Sequence, residues 1–352
     1  MTFVKGDNYL KNGLANKLPA AACVEKLQNE KSPRRTLSFY KYVEIKNPRE
    51  MRDLLFANWS KLGVLGRTYI ANEGINSQIS VPEKNWETFV QELYANSQFR
   101  GVPFKIAVEE PNFSFIKLTV KVRNQIVADG LETGEFDLSK VGKHLSPEQF
   151  NAELAKEDTI VVDMRNQYES RIGRFDKAIC PDVDTFREEL PLVKDLLSDK
   201  KDKKILLYCT GGIRCEKASA YLMSHGFEDV NQLEGGIINY AHSVKAGKIE
   251  SRFRGANFVF DQRGAERITN DVLATCDQCG KTCDSYVNCR NEACNLLFIQ
   301  CETCATNFEK CCSEKCMEIA KLPENDRRQY RKIHGKHKQE IYKSRLRPKL
   351  RA

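Results

Sequence analysis

Ile205-Leu206-Leu207-Tyr208-Cys209-Thr210-Gly211-Gly212-Ile213-Arg214-Cys215-Glu216-Lys217-Ala218-Ser219 is the stretch around which the 352-residue chain is organised. Ile205 to Tyr208 follow a Lys/Asp run and predict a short buried strand. Cys209 ends that strand, Gly211-Gly212 make a tight turn, and Arg214 opens a helix expected from about Cys215 to Ser224. Two glycines let successive N–H groups of Thr210, Gly211, Gly212 and Ile213 turn inward as an anion-binding nest. The helix that follows points its positive end at the same place. Both effects favour a thiolate, the nucleophilic form of cysteine. Arg214 adds a fixed charge and a planar donor fork for an anionic substrate or adduct. Cys209 and Arg214 are the candidate catalytic residues.

The spacing Cys-x4-Arg makes a loop one residue shorter than the Cys-x5-Arg loop of protein tyrosine phosphatases, too small for a phosphate but suited to one extra sulfur atom. These residues resemble the rhodanese family, whose loop cysteine carries a persulfide. The flanking sequence extends the resemblance. Thr159-Ile160-Val161-Val162-Asp163 predicts a buried strand ending in an acid, followed by Met164-Arg165, then Glu169 and Gly173. Arg174 stands where that family usually has His. Strands alternating with helices over 146–250 argue for a parallel sheet with the site at the carboxyl ends of its strands. Cys215 reads better as a small packed residue than as a resolving thiol. Cys180 is placed near the end of a strand over Lys177 to Cys180.

Hydrophobic content of 41% and charged content of 30% are those of a soluble globular protein. No 18-residue apolar run predicts a membrane span. The apolar run from Leu18 to Val24 contains a proline and leads into Glu25-Lys26, so no secretory signal is read. Fourteen cysteines without such a signal point to metal or redox chemistry in a reducing, cytoplasmic compartment. The net charge of +8 is concentrated at one end. Residues 321–352 carry 12 Lys and Arg against 3 Asp and Glu, so the rest of the chain is close to neutral.

Residues 1–35 read as a partly helical N-terminal extension. Residues 36–128 give the order β-α-β-β-α-β of a ferredoxin-like α+β sandwich. Its strands are expected at Thr36 to Val43, Arg67 to Ala71, Ile75 to Val81, Phe104 to Val108 and Phe115 to Val122. Phe39, Tyr40, Tyr42, Arg67 and Tyr69 mix aromatic and basic side chains that could stack and pair with single-stranded RNA, although aromatics favour strands in any case. Asn72-Glu73-Gly74 reads as a plain turn. Residues 129–145 read as a linker. Ser146-Pro147-Glu148-Gln149 then starts a helix with a capping box.

The segment 251–320 contains Cys276-x2-Cys279-x3-Cys283-x5-Cys289-x4-Cys294-x6-Cys301-x2-Cys304-x6-Cys311-Cys312-x3-Cys316. Cys-x2-Cys pairs bring two sulfurs round a tight turn, and the count suits two structural four-thiolate zinc sites with two cysteines left over. Cys276, Cys279, Cys289, Cys294, Cys301, Cys304, Cys312 and Cys316 are the candidate ligands, and the partition between the two ions is not readable. The tail 321–352 has too few apolar residues for a core and is expected to be disordered or loosely helical. Its Arg327, Arg328, Arg331 and Lys332 join Arg67 and Tyr69 as candidate RNA-binding residues.

Four motifs carry a wider resemblance: Arg67-Thr68-Tyr69-Ile70-Ala71-Asn72-Glu73-Gly74-Ile75-Asn76-Ser77-Gln78-Ile79-Ser80-Val81-Pro82, Tyr208 to Ser219, Glu234-Gly235-Gly236-Ile237-Ile238, and Asn257-Phe258-Val259-Phe260-Asp261. With the cysteine segment they resemble the rhodanese-domain-containing, oxygen-dependent tRNA uridine hydroxylases of bacteria. That resemblance spans about residues 35–323. It implies 5-hydroxyuridine formation at the wobble position of tRNA, with molecular oxygen as co-substrate and Cys209 as the reactive cysteine. The residues themselves show no Gly-x-Gly-x-x-Gly fingerprint, so no NAD or flavin site is detected in them. The five histidines, His144, His225, His242, His334 and His337, form no recognisable iron triad. The loop chemistry alone suits a sulfurtransferase, and an RNA-binding adaptor with a vestigial rhodanese domain is a third class, opposed by the intact Cys209 and Arg214.

Overall fold

The computed structural model describes residues 14–335 except 17, 31, 110–113 and 133. Most of the 1–35 extension and the tail beyond residue 335 therefore lie outside the described residues. Two compact units emerge, 1–128 with 260–263, and 129–259 with 264–352.

The first unit contains α1 (Ala20–Gln28), β1 (Arg34–Tyr42), α2 (Pro48–Lys61), β2 (Leu65–Ala71), β3 (Gly74–Pro82), α3 (Trp86–Ala95), β4 (Lys105–Ile106) and β5 (Leu118–Val122). The strand order β4-β1-β3-β2 is that of a ferredoxin-like sandwich, and β5 adds a fifth strand parallel to β2. Asn47 caps α2 and Pro48 occupies its first turn, so the helix starts where the sequence places it. Leu37, Phe39, Ile79 and Val81 share a core with Trp59 of α2 and Phe89 of α3. Phe39 is thus committed to packing and is unavailable for stacking on a base. Gly74 closes the β2–β3 hairpin at φ +145°, where a Cβ would lie 2.0 Å from the carbonyl oxygen of Lys41. The returning segment 260–263 completes this unit. Arg67 donates to the Phe260 carbonyl at 2.6 Å, Gln262 N–H to the Ser114 carbonyl, and Arg263 to the Glu109 carbonyl.

The second unit begins with β6 (Lys143–Leu145), α4 (Pro147–Leu154), β7 (Ile160–Asp163), α5 (Gln167–Ser170), β8 (Gly173–Phe175) and α6 (Phe186–Leu196). β9 (Lys204–Tyr208), α7 (Ile213–Ser224), β10 (Asp229–Leu233), α8 (Gly236–Lys245), β11 (Phe253–Phe258) and β12 (Ala265–Arg267) follow. β6-β10-β9-β7 form a parallel sheet, with β9 between β10 and β7. β12-β11-β8 form a second, antiparallel sheet. The stretch read as a linker is structured at both ends: β6 is its last three residues, and buried Asp129 accepts from Lys217 Nζ at 2.6 Å. Lys177 to Cys180 is not a strand, because Lys177 adopts φ +60° and only Ile179 bridges to Val162.

The remainder comprises β13 (Tyr286–Asn288), β14 (Leu297–Ile299), α9 (Glu302–Asn307), α10 (Glu314–Lys321) and α11 (Glu324–His334). It is tied to α5: Arg171 pairs with Asp277 at 2.7 Å, and Tyr286 Oη donates to the Tyr168 carbonyl at 2.7 Å. The described part of the tail is ordered as α11, which has no buried residue. No helix among the described residues is long and apolar enough to cross a membrane.

Candidate active site and cysteine clusters

Ile205 to Tyr208 are fully buried, so β9 delivers Cys209 to the sheet's carboxyl edge as a residue with no solvent exposure. Gly212 then takes φ +99°, a left-handed conformation open to glycine, and caps α7. Its N–H donates to Cys209 Sγ at 3.1 Å. The N-terminus of α8 seats the loop from the other side, with Ile237 N–H on the Cys209 carbonyl and Ile238 N–H on that of Thr210. Gly236 makes this approach possible, since a Cβ there would lie 2.5 Å from the Cys209 carbonyl oxygen.

Burial by itself would push the Cys209 thiol up. It is outweighed by a hydrogen bond from the Cys215 thiol, the charge of Arg214, and the N–H groups of Cys215 and Arg214, which bring Cys209 down to about 6. Cys215 is therefore packed, as its register suggests, and also a donor to the Cys209 sulfur. Burial, and then its bond to Cys209, hold Cys215 well above the ordinary thiol range.

Arg214 is committed differently from expectation. Its Nη1 and Nη2 meet Glu169 Oε1 and Oε2 at 2.7 and 2.8 Å, a bidentate pair between side chains that are almost fully buried. Thr210 Oγ1 donates to the same carboxylate at 3.2 Å. The fork thus fixes the loop to α5 rather than standing open to an anion, and its charge still acts on Cys209. Glu169 Oε1 also accepts from the Asn166 N–H at 3.1 Å, which orients the clamp. Behind it, Arg165 pairs with Asp163 at 2.7 Å and Tyr208 Oη donates to Asp163 at 2.8 Å, all without exposure. Cys180 lies nearby with its thiol pushed up to about 12, mainly by burial.

The cysteines of the last segment gather into two tetrads, Cys276, Cys279, Cys301 and Cys304, and Cys289, Cys294, Cys312 and Cys316, with the Sγ atoms of each within 4.8 Å of one another. Cys283 and Cys311 stand outside both, and all fourteen cysteines are free of disulfides. Sulfur separations of 3.6 Å (Cys279–Cys301) and 3.7 Å (Cys294–Cys312, Cys312–Cys316) suit a zinc tetrahedron, whose edges are about 3.8 Å for Zn–S of ~2.3 Å. The interleaved partition between the two groups is not readable from spacing, because each Cys-x2-Cys pair closes on cysteines that lie beyond members of the other tetrad.

Of the RNA-binding candidates, Arg67 and Tyr69 lie two residues apart and so face the same side of β2. Arg67 is engaged with Phe260, and the Tyr69 ring lies under the Arg123 guanidinium at 5.4 Å. Tyr40 similarly lies under Lys105 Nζ at 4.2 Å. Arg327, Arg328, Arg331 and Lys332 sit on α11, where Arg328 pairs with Glu324, and Arg331 with Glu292.

A parallel sheet whose inner strand ends in a cradled thiolate defines a rhodanese-type domain, and the Rhodanese-like domain family matches residues 146–243. The UPF0176 acylphosphatase like domain matches residues 34–126, and the Rhodanase C-terminal family matches 254–317. The chain is 52% identical over 326 residues to a tRNA uridine(34) hydroxylase of Leptospira interrogans, covering 93% of this chain and 89% of that protein. It is 50% identical to the protein of the same name from Photorhabdus laumondii, with 90% of each chain covered. A third, from Salmonella typhimurium, is 49% identical over 88% of this chain and 89% of its own length. The chain belongs to the tRNA uridine(34) hydroxylase family.

Proposed function

We propose that this protein hydroxylates the wobble uridine of tRNA to 5-hydroxyuridine in the cytoplasm, with molecular oxygen as co-substrate and Cys209 as the reactive group. The observation that carries this reading is the 52% identity over 93% of the chain to a protein of that name. The site chemistry supports it. Cys209 is held as a thiolate at neutral pH by the Cys215 thiol, the Arg214 charge and the N–H groups of Gly212, Arg214 and Cys215, and Arg214 fixes the loop through Glu169. A sulfurtransferase is the second reading, favoured by the N–H groups aimed at a single sulfur. Nucleoside mass analysis of tRNA from cells lacking the gene separates the two. Loss of 5-hydroxyuridine, restored by the gene, supports the first; loss of a thiolated base supports the second and overturns the first.

Each tetrad would hold one structural zinc ion, which supplies the cross-link that this segment's small apolar content does not. The purified protein is expected to contain two zinc ions per chain, and their removal to melt residues 276–316. Iron with inorganic sulfide, or a metal-free protein with this segment still folded, would refute that.

The tRNA phosphates are expected on α11 and the tail beyond it. The ion pairs that α11 makes are exposed and worth only ~0–1 kcal/mol each, so phosphates can displace them. Each neutralised phosphate releases counterions and steepens the salt dependence of binding. Truncation after Leu322 is therefore expected to weaken tRNA binding. It should also flatten the log–log salt slope by about 0.7–0.9 for every phosphate that the shortened protein leaves unneutralised. Alkylation of Cys209 should be unchanged. Identical slopes for both forms would move the phosphates to the N-terminal sheet.

A further inference from the structure

Glu189 lies in the first turn of α6 with no solvent exposure, and neither of its carboxyl oxygens has a hydrogen-bond partner. A buried carboxyl without partners is rare and costly, and a leucine or methionine would pack there without that cost. Its surroundings explain what keeps it there. The charged groups acting on it are Arg214 of α7, Asp163 at the end of β7, Glu169 of α5 and Cys209 in the loop. Arg214 reciprocally counts Glu189 among its own neighbours. Glu189 therefore lies within electrostatic reach of the Cys209 loop, on a helix that the loop motif does not contain.

The charges leave no room for another anion. Arg214 is taken up by the bidentate Glu169, Asp163 is matched by Arg165, and Cys209 is itself negative. Burial, first, drives the Glu189 carboxyl well up; Arg214 opposes this, while Asp163, Glu169 and Cys209 reinforce it. Its neighbours on α6, Arg187 and Glu188, are exposed, and the helix N-terminus is the other opposing influence. Burial without a partner among the described residues favours the neutral carboxylic acid, and its O–H then has no acceptor among them.

We propose that Glu189 is a catalytic hydrogen-bond donor of this site, its carboxyl O–H aimed at a carbonyl oxygen of the pyrimidine base bound against Cys209. The proposal rests on the reading of the Cys209 loop as the uridine site. A neutral acid shielded from water takes up negative charge as it develops on such an oxygen, which an ionised carboxylate cannot do. As the pH rises through its own ionisation the donor is lost, so activity should fall on the alkaline side while Cys209 remains a thiolate.

The test uses the full-length zinc-loaded protein with a tRNA substrate, comparing Glu189→Gln and Glu189→Asp. Glu189→Gln keeps size and neutrality and still offers an N–H, but an amide is far too weak an acid to share its proton with a developing oxyanion and does not titrate. It is expected to lower turnover by about 10²-fold or more and to remove the alkaline fall in the pH profile. Glu189→Asp, still an acid, should recover part of the activity. The pH midpoint for alkylation of Cys209 should stay where it is in the wild type. Wild-type turnover in Glu189→Gln would overturn the proposal, as would a shifted Cys209 midpoint, since the residue would then act through the thiolate. Infrared difference spectra of wild type against Glu189→Gln read the protonated carboxyl directly at neutral pH. Its absence overturns the proposal even if the enzyme hydroxylates uridine, whereas inactive wild-type protein with the band present would count against the functional reading alone.

Discussion

Cys209→Ser is expected to abolish wobble-uridine hydroxylation and to leave the fold intact. The substitution replaces a thiolate that ionises near 6 with a hydroxyl that the same N–H groups cannot ionise. Serine is smaller and fits the space. The wild-type reaction with iodoacetamide gives the sign of the pH effect. A lowered thiol is reactive above its midpoint and is silenced as the pH falls through about 6, whereas a free cysteine needs a pH near ~8.5. Peptide mass analysis distinguishes Cys209 from the other thirteen cysteines. Native-rate hydroxylation by the serine variant, or an alkylation midpoint at the free-cysteine value, would remove Cys209 from the centre of the mechanism.

The second large effect is on stability. Glu169→Ala should destabilise the rhodanese-type domain by about 3–5 kcal/mol, because it strands the buried guanidinium of Arg214 without its bidentate partner. Thr210 loses its acceptor at the same time. Urea unfolding followed by the exposure of Cys209 measures the change in the domain that contains the pair. An unchanged midpoint would mean that water or a rearranged loop compensates the charge. Glu169→Gln should fall between the two, since it keeps one acceptor oxygen and no charge.

Much of this architecture is legible in the sequence because its signals are local. The apolar run Ile205 to Tyr208, the Gly-Gly turn and the first residues of α7 are contiguous, so the strand, loop and helix follow from reading fifteen residues. Asn47-Pro48 and Ser146-Pro147 mark helix starts by chemistry confined to one turn. What escapes is long-range. Glu169 lies 45 residues before Arg214, and nothing in its own neighbourhood marks it as a clamp. Its place in the rhodanese-like pattern is visible in the sequence, but its partner is not. Glu189 sits in an ordinary amphipathic helix, where a second glutamate beside Glu188 reads as solvated surface. Gly236 looks like one of two turn glycines until the Cys209 carbonyl is found against it. Lys177 misleads in the opposite direction, since its left-handed backbone interrupts a run whose side chains suit a strand.

The return of residues 260–263 to the N-terminal unit has a consequence for biosynthesis. Arg67 and its acceptor on Phe260 are 193 positions apart in the chain. At about 5–20 residues per second, a ribosome that has finished residue 128 needs on the order of ten seconds more to make residue 260. Throughout that interval the nascent sandwich has its five strands but lacks its closing strap. The Arg67 guanidinium and the carbonyls of Ser114 and Glu109 must wait in water. A fragment cut at residue 128 would remain permanently in that half-made state. An expression fragment meant to stand alone should therefore carry 260–263 grafted behind residue 128 through a short flexible connector.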